Sequence, residues 1–455
     1  MKGLKFRLVV MNFLQFAVWG AYLTCMGAYL ATHDMATRIG IFYSIQGIVS
    51  IFMPAIMGIV ADKWIPAQRL LGICHLLSGC AMAAAGIYGL QSGSNVEFAP
   101  LFMLYTVGVA FYMPTLALSN SVAYNALEKG GLDTERAFPP IRVFGTIGFI
   151  VSMWLVDILG FQTTANQFLV SSAFSVLLGF YAFTLPHCSI CASIGGEKKS
   201  VIEALGLKAF ELFKEKKMAI FFIFSMLLGV SLQITNGFAN PFLQSFGHIQ
   251  EFADTFGVKH ANILISLSQI SETLCILLIP FFLKHFGIKK VMLIAMIGWV
   301  LRFALFGLGN PGNGVILFIL SCIVYGVAFD FFNISGSLFV DKETSPSIRS
   351  SAQGLFMLMT NGIGATIGTL AAQFVVNKNV PIVSWEEYGL SQGARTLSEK
   401  GEILWSNLTS EQLMLIHEQA NNVWNGWQNS WFVFAGYALV VAVLFAIIFK
   451  YKHQK

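Results

Sequence analysis

Three ionisable side chains, Asp330, Glu272 and Arg142, stand in stretches that are otherwise almost free of charge. Asp330 is set between phenylalanines in VYGVAFDFFNISGSLFV, residues 324–340. A charge at the centre of a bilayer costs about 2.5–3.5 kcal/mol even on the most lenient scale. An isolated buried carboxylate also tends to take up a proton rather than stay ionised. Each of these residues therefore needs a partner and a task. An acid shielded from water can hold a proton at neutral pH and release it when water arrives, which is the chemistry of proton coupling. Glu272 and Asp330 are the candidates for that role. Arginine does not deprotonate, so Arg142 can serve only as a fixed counter-charge or as a donor to a solute.

Uncharged polar residues line up with these three. Arg142, Thr146 and Phe149 fall at i, i+4 and i+7, on one helical face. Gln233 and Asn236 share another face, with Asn240 a turn further on. Asn262, Ser266, Gln269 and Glu272/Thr273 form a third stripe. A fourth runs through Gly326, Asp330, Asn333 and Ser337, with Tyr325 and Phe329 beside it. Polar stripes on apolar helices turn away from lipid. Taken singly, each Gln, Asn, Ser or Thr reads more readily as a hydrogen bond holding helices together. Taken with the three charges, the amides suit a neutral solute rich in hydroxyls and carbonyls. The aromatic residues Phe149, Tyr325 and Phe329 can stack on a flat ring. A ring carrying a polyol, such as a nucleoside, fits this description. His75 reads as a satisfied core histidine, Gly145, Gly148, Gly364 and Gly368 as close-packing residues, and Arg302 as a side chain that snorkels from an outer helix end.

The elements that position these residues follow from composition. The chain has 455 residues, 56% hydrophobic and 11% charged, against about 25% charged in a soluble domain. Twelve apolar runs reach the length of about 20 residues that a membrane helix needs. They lie near 9–31, 38–61, 70–90, 100–124, 142–161, 167–186, 217–243, 260–283, 291–308, 313–338, 351–376 and 429–450. Only helices and closed barrels satisfy their backbone in lipid, and the two-residue alternation of barrel strands is missing. The expected class is an all-α polytopic membrane protein. The first run is too long, and lacks the small-residue cleavage site, for a removed signal peptide.

The charge balance of +5 is no sign of nucleic-acid binding, because the basic residues follow topology. Of the 28 Lys and Arg, Arg142 and Arg302 fall within spans. With both termini cytoplasmic, only Arg38, Lys259, Lys378, Arg395 and Lys400 fall outside, leaving 21 on the cytoplasmic side. The seven cysteines are scattered and give no disulfide framework. HCSIC (187–191) holds a C-x-x-C without a second ligand pair. No metal or cofactor motif and no nucleophile–base pair is present.

Segment 187–216, with GGEKKS and KEKK, divides the chain into an N-terminal half, 1–186, and a C-terminal half, 217–455. GVAFYMPTLALSNSVAY (108–124) recurs 218 residues later as GVAFDFFNISGSLFVDK (326–342). PPIRVFGTIGF (139–149) is matched by PSIRSSAQGLF (346–356). GIVADK (58–63), with Arg69 beyond it, resembles the cytoplasmic loop signature of the major facilitator superfamily, without its later glycine and basic pair. Two like-oriented halves of six helices are the parallel repeat of that fold, in which substrate sites lie between the halves near mid-membrane. A polar insert, 378–428, precedes the last span as an external loop. Within it TSEQLMLIHEQA reads as a short amphipathic helix capped by Thr or Ser, and NLT (407–409) matches a glycosylation acceptor.

Over nearly its whole length the chain resembles the bacterial nucleoside permeases of the nucleoside:proton symporter family. The matching segments include NFLQFAVWG (12–20), FMPAIMGIVADKW (52–64), FPPIRVFGTIGFI (138–150), LQITN (232–236), SQISETL (268–274), LRFALFG (301–307), YGVAFDFFNISGS (325–337), SAQG (351–354), MTNG (359–362) and FKYKH (449–453). The resemblance implies that Arg142, Thr146, Gln233, Asn236, Gln269, Glu272, Tyr325, Phe329 and Asp330 surround a nucleoside, with the acids coupling protons. It implies proton-driven nucleoside uptake by alternating access in the bacterial inner membrane, by a protein active as a monomer and without a cofactor. A sugar or drug transporter on the same fold, and a non-transporting nutrient sensor, are the alternatives.

Overall fold

The computed structural model describes residues 3–188, 207–345, 349–383, 405 and 408–451. The GGEKKS stretch, Cys191, Asn407, the proline-led start at 346–348 and most of the 378–428 insert lie outside the described residues, as do the side chains of Asp62 and Lys63. Among the described residues every regular element is helical. The helices are α1 (Leu4–Gly20), α2 (Met26–Thr32), α3 (Ile39–Lys63), α4 (Ala67–Ser92), α5 (Phe98–Lys129), α6 (Thr134–Ile158), α7 (Asn166–Ala182) and α8 (Lys216–Leu232). They continue with α9 (Ile234–Ser245), α10 (Phe256–Lys259), α11 (Ala261–Cys275), α12 (Ile279–Leu308), α13 (Val315–Glu343), α14 (Arg349–Met357), α15 (Ala365–Asn379) and α16 (Ser410–Ile448).

Each of the twelve expected runs falls on these helices, which make nine described helical stretches long and apolar enough to cross a membrane. The difference has local causes. The first run is interrupted at residues 21–25, so α1 and α2 are each short. The sixth, α7, has 17 residues. The eighth and ninth run on as one helical stretch that turns at Gly287, whose φ of 74° suits glycine. These three account for the difference. Two further runs are interrupted yet still long enough to span. The seventh breaks at Gln233, between α8 and α9. The eleventh is interrupted by a π-helical segment, Leu358–Gly364. The amphipathic helix expected in the insert is not a separate short element. It begins at Thr409, whose hydroxyl accepts from the Gln412 N–H at 3.2 Å while Gln412 Oε1 accepts from the Thr409 N–H at 2.9 Å. From that capping box it runs unbroken into the final span, because no glycine or proline in between stops it beyond Gly426 and Gly436.

By packing, the chain forms two compact units. The first comprises residues 1–233 and 336–369, the second residues 234–335 and 370–455. This grouping cuts across the division by sequence repeat. In the first unit α1 lies on α6, and α4 lies on α5 and α7. Glycine sets these approaches. A Cβ on Gly148 would meet the backbone carbon of Phe13 at 2.8 Å, and one on Gly364 would meet the Gly229 Cα at 2.9 Å. Gly368 presses in the same way on Val230. Their reading as close-packing residues holds. Gly148→Ala is expected to lower stability by roughly 1–3 kcal/mol, the usual cost of overpacking. Gly436→Ala, where nothing lies within 4 Å, is expected not to lower the melting temperature of the purified protein, since alanine favours a helix interior over glycine. Thermal unfolding of the two variants in detergent checks this.

In the second unit α12 lies along α16. The core between them is aromatic: Phe303, Phe306 and Phe434 surround the fully buried Trp431, with Phe306 stacked on it at 4.9 Å.

Candidate functional site

In the second unit the site begins with a glycine. A Cβ on Gly326 would lie 2.6 Å from the backbone carbon of Ser271, so α13 and α11 meet backbone to backbone. The Ser271 hydroxyl donates to the Ile323 carbonyl and fixes their register. One turn beyond that contact on α13 stands Asp330, and beside Ser271 on α11 stands Glu272. The two acids come close enough to interact electrostatically, and Glu272 also interacts with Tyr325. Asp330 is buried, and its Oδ2 has no hydrogen-bond partner among the described residues. Gln269, one turn before Glu272, is buried with its Oε1 equally unpartnered. Tyr325 and Phe329 stack at 5.5 Å with 15° between their planes. Tyr325 is buried, whereas Phe329 keeps part of its ring exposed. Gln269, Glu272, Tyr325, Phe329 and Asp330 are thus brought together. Asn236 lies on α9 of the same unit, half-buried.

Two other residues of the polar stripes do structural work. Asn240 Nδ2 donates to Asn262 Oδ1 at 2.9 Å, tying α9 to α11.

In the first unit α6 presents Arg142, Thr146 and Phe149. Gly145 gives Arg142 room, since a Cβ there would stand 2.7 Å from the guanidinium and 2.6 Å from the Phe16 ring. Arg142 lies flat over Phe16, 3.9 Å from the ring centre. Phe149 is buried with its ring edge-on to Trp19 at 6.3 Å, and Thr146 is half-buried. Gln233, half-buried, occupies the break between α8 and α9 rather than a continuous helical face.

A buried polar chain backs this face. His75 shares hydrogen bonds with Gln15 Oε1 at 2.8 Å and the Ser175 hydroxyl at 3.1 Å. Gln15 Nε2 donates to Thr115 Oγ1 at 2.8 Å, and the Tyr112 hydroxyl donates to the Gln15 carbonyl at 2.8 Å. His75 is a satisfied core histidine, as its sequence context indicates.

One expectation is corrected. Arg302 does not snorkel from a helix end. It is 2% exposed, with hydrogen bonds to Thr235 Oγ1 at 3.1 Å, Ser268 Oγ at 3.2 Å and the Ser321 carbonyl at 3.0 Å. Its guanidinium lies over the Tyr325 ring at 4.4 Å. The sequence holds the reason. Ala295, Trp299, Arg302 and Phe306 follow helical spacing, and all four are buried, so Arg302 belongs to the inward face. Distance from the helix end concealed this, and its spacing from Trp299 and Phe306 would have shown it.

Comparison with known proteins places this geometry. The family model described as nucleoside H+ symporter matches residues 1–387. The chain belongs to the nucleoside H+ symporter family. It is 45% identical to the xanthosine permease of Escherichia coli K12 over 99% of this chain and 97% of that protein. Identity to the nucleoside permease NupG of the same organism is 43%, over 100% of this chain and 97% of that one. A crystal structure of the nucleoside transporter NupG superposes with a TM-score of 0.82, covering 99% of this chain and 100% of the other. The symporter therefore has the major facilitator fold that its sequence repeat indicates. It is a multi-pass membrane transporter that couples nucleoside uptake to protons, and not an enzyme.

Proposed function

We propose that this symporter imports intact nucleosides across the bacterial inner membrane as a monomer in the lipid bilayer, with both termini cytoplasmic. In this reading residues 1–186 and 217–455 are the two six-helix halves of an alternating-access cycle. Arg142, Thr146, Phe149, Gln233, Asn236, Gln269, Glu272, Tyr325, Phe329 and Asp330 contact the nucleoside, and Asp330 with Glu272 carries the proton. The observation that carries the reading is the pairing of two carboxylates in apolar helices beside the stacked Tyr325–Phe329 rings, with Asp330 Oδ2 unpartnered. A proton acceptor and an aromatic surface side by side are what a proton-coupled carrier of a ring-bearing solute needs. A neutral nucleoside gains nothing from the membrane potential, whereas each proton brings about 2.3 kcal/mol per 100 mV.

Competition for uptake tests the substrate class. Uridine or adenosine is expected to compete, and free uracil or glucose is not, because a site built to bond ribose hydroxyls is left with unpaired groups when they are missing. Equal competition by glucose would favour a sugar carrier on the same fold.

Gln269→Ala and Gln233→Ala are expected to weaken nucleoside binding several-fold, on the order of the 0.5–1.5 kcal/mol of a neutral hydrogen bond. Their melting temperatures and membrane expression stay near normal, as calorimetry and blotting would show. Loss of expression instead would make these amides structural.

A further inference from the structure

Arg302 stands outside the residues assigned to substrate, yet among the described residues it is the most thoroughly enclosed cation in the second unit. Its guanidinium donates to acceptors on three helices: the Thr235 hydroxyl on α9, the Ser268 hydroxyl on α11 and the Ser321 carbonyl on α13. Among the described residues no carboxylate lies within ion-pair distance of it. Its charge rests instead on hydroxyls, a carbonyl and an aromatic face. Burying a cation on such partners is costly, and helix packing alone would be better served by an apolar side chain of the same volume.

What the guanidinium does achieve is to fix one ring. It covers Tyr325 at 4.4 Å, while Trp299 meets that ring edge-on at 5.8 Å and 88°. Tyr325 in turn stacks in parallel on Phe329. The order of layers is cation, buried ring, partly exposed ring. An arginine fork held at three points fixes its plane more tightly than a lysine would.

We infer that Arg302 is a positioning residue for the nucleoside base: through Tyr325 it holds the Phe329 ring as a rigid platform on which the base stacks. This rests on the nucleoside reading above. Base-on-aromatic stacking is worth about 1–3 kcal/mol, and a platform free to tilt forfeits much of it.

The test compares two ligands on the purified full-length protein. One is whichever of uridine and adenosine the wild type binds more tightly. The other is methyl riboside, which keeps the sugar and lacks the ring. Arg302→Lys and Arg302→Gln are expected to weaken nucleoside binding about tenfold, in the lower part of the stacking range, and riboside binding less than twofold. Phe329→Leu is expected to match them. Equal weakening of both ligands would give Arg302 a purely structural role and overturn the inference, as would unchanged binding of both. Should the Arg302 variants fail to fold, Tyr325→Leu removes the middle layer and must show the same selective loss; a uniform loss there overturns the inference too. A wild type that binds glucose as well as either nucleoside would instead overturn the substrate reading on which the inference stands.

Discussion

Asp330→Asn is expected to abolish nucleoside accumulation driven by an imposed pH gradient while nucleoside binding stays within a few-fold of wild type. The substitution keeps the size of the side chain and most of its hydrogen bonding but cannot release a proton. Asp330 is buried in α13 with one carboxylate oxygen unpartnered, so its protein contacts do not account for its presence. Exchange of labelled nucleoside across the membrane, which needs no net proton movement, is expected to persist in this variant. Uptake measured at several external pH values distinguishes the two processes. Wild-type accumulation follows the gradient, and the Asp330→Asn rate does not. Normal gradient-driven accumulation by Asp330→Asn would make the residue structural.

Glu272→Gln is expected to impair binding and uptake together, a different phenotype from the neighbouring acid. Glu272 shares its stripe with Gln269 and interacts with both Asp330 and Tyr325, so in the proposed site it borders both the substrate and the proton-carrying acid. A hydrogen bond to a charged group is worth about 1.5–3 kcal/mol, which corresponds to a loss of roughly ten- to a hundredfold in affinity. In the proposed site the two acids act as one set, and the coupling proton is assigned to the pair rather than to either residue. The double variant Glu272→Gln/Asp330→Asn is accordingly expected to be no worse in uptake than the poorer single variant. Additive losses in such a cycle would show that the acids act independently.

Much of this arrangement could be read before the fold was known, for identifiable reasons. Lipid penalises polar groups so heavily that Asp330, Glu272 and Gln269 announce themselves by residue type, and helical spacing then places them on shared faces. Gly148, Gly364 and Gly368 were legible for a related reason, since helices in lipid associate through small residues. Interruptions of helical regularity were not legible. Gln233 occupies a break, and MTNG (359–362) lies in a π-helical segment, yet neither stretch contains a proline or a charge to mark it. The insert misled in the opposite sense. A capped amphipathic segment ahead of an apolar run reads as two elements, and the chain makes one helix of 39 residues. The position of Arg302 along its span suggests a helix end, whereas its position around the helix, with Trp299 and Phe306, is the inward one. The aromatic stack it supports depends on contacts between α12 and α13, which no single helical period reveals.

The most direct test of proton-coupled transport through these acids is the proton flux that nucleoside itself evokes. Proteoliposomes carrying a pH-sensitive dye in their lumen, with no imposed gradient, are given external uridine or adenosine under a membrane potential that is negative inside. The expected result is immediate acidification of the lumen by the wild-type protein, absent with glucose and absent for Asp330→Asn, although that variant still exchanges nucleoside. Labelled nucleoside entering wild-type vesicles with no accompanying acidification, or acidification that survives Asp330→Asn, would contradict the account.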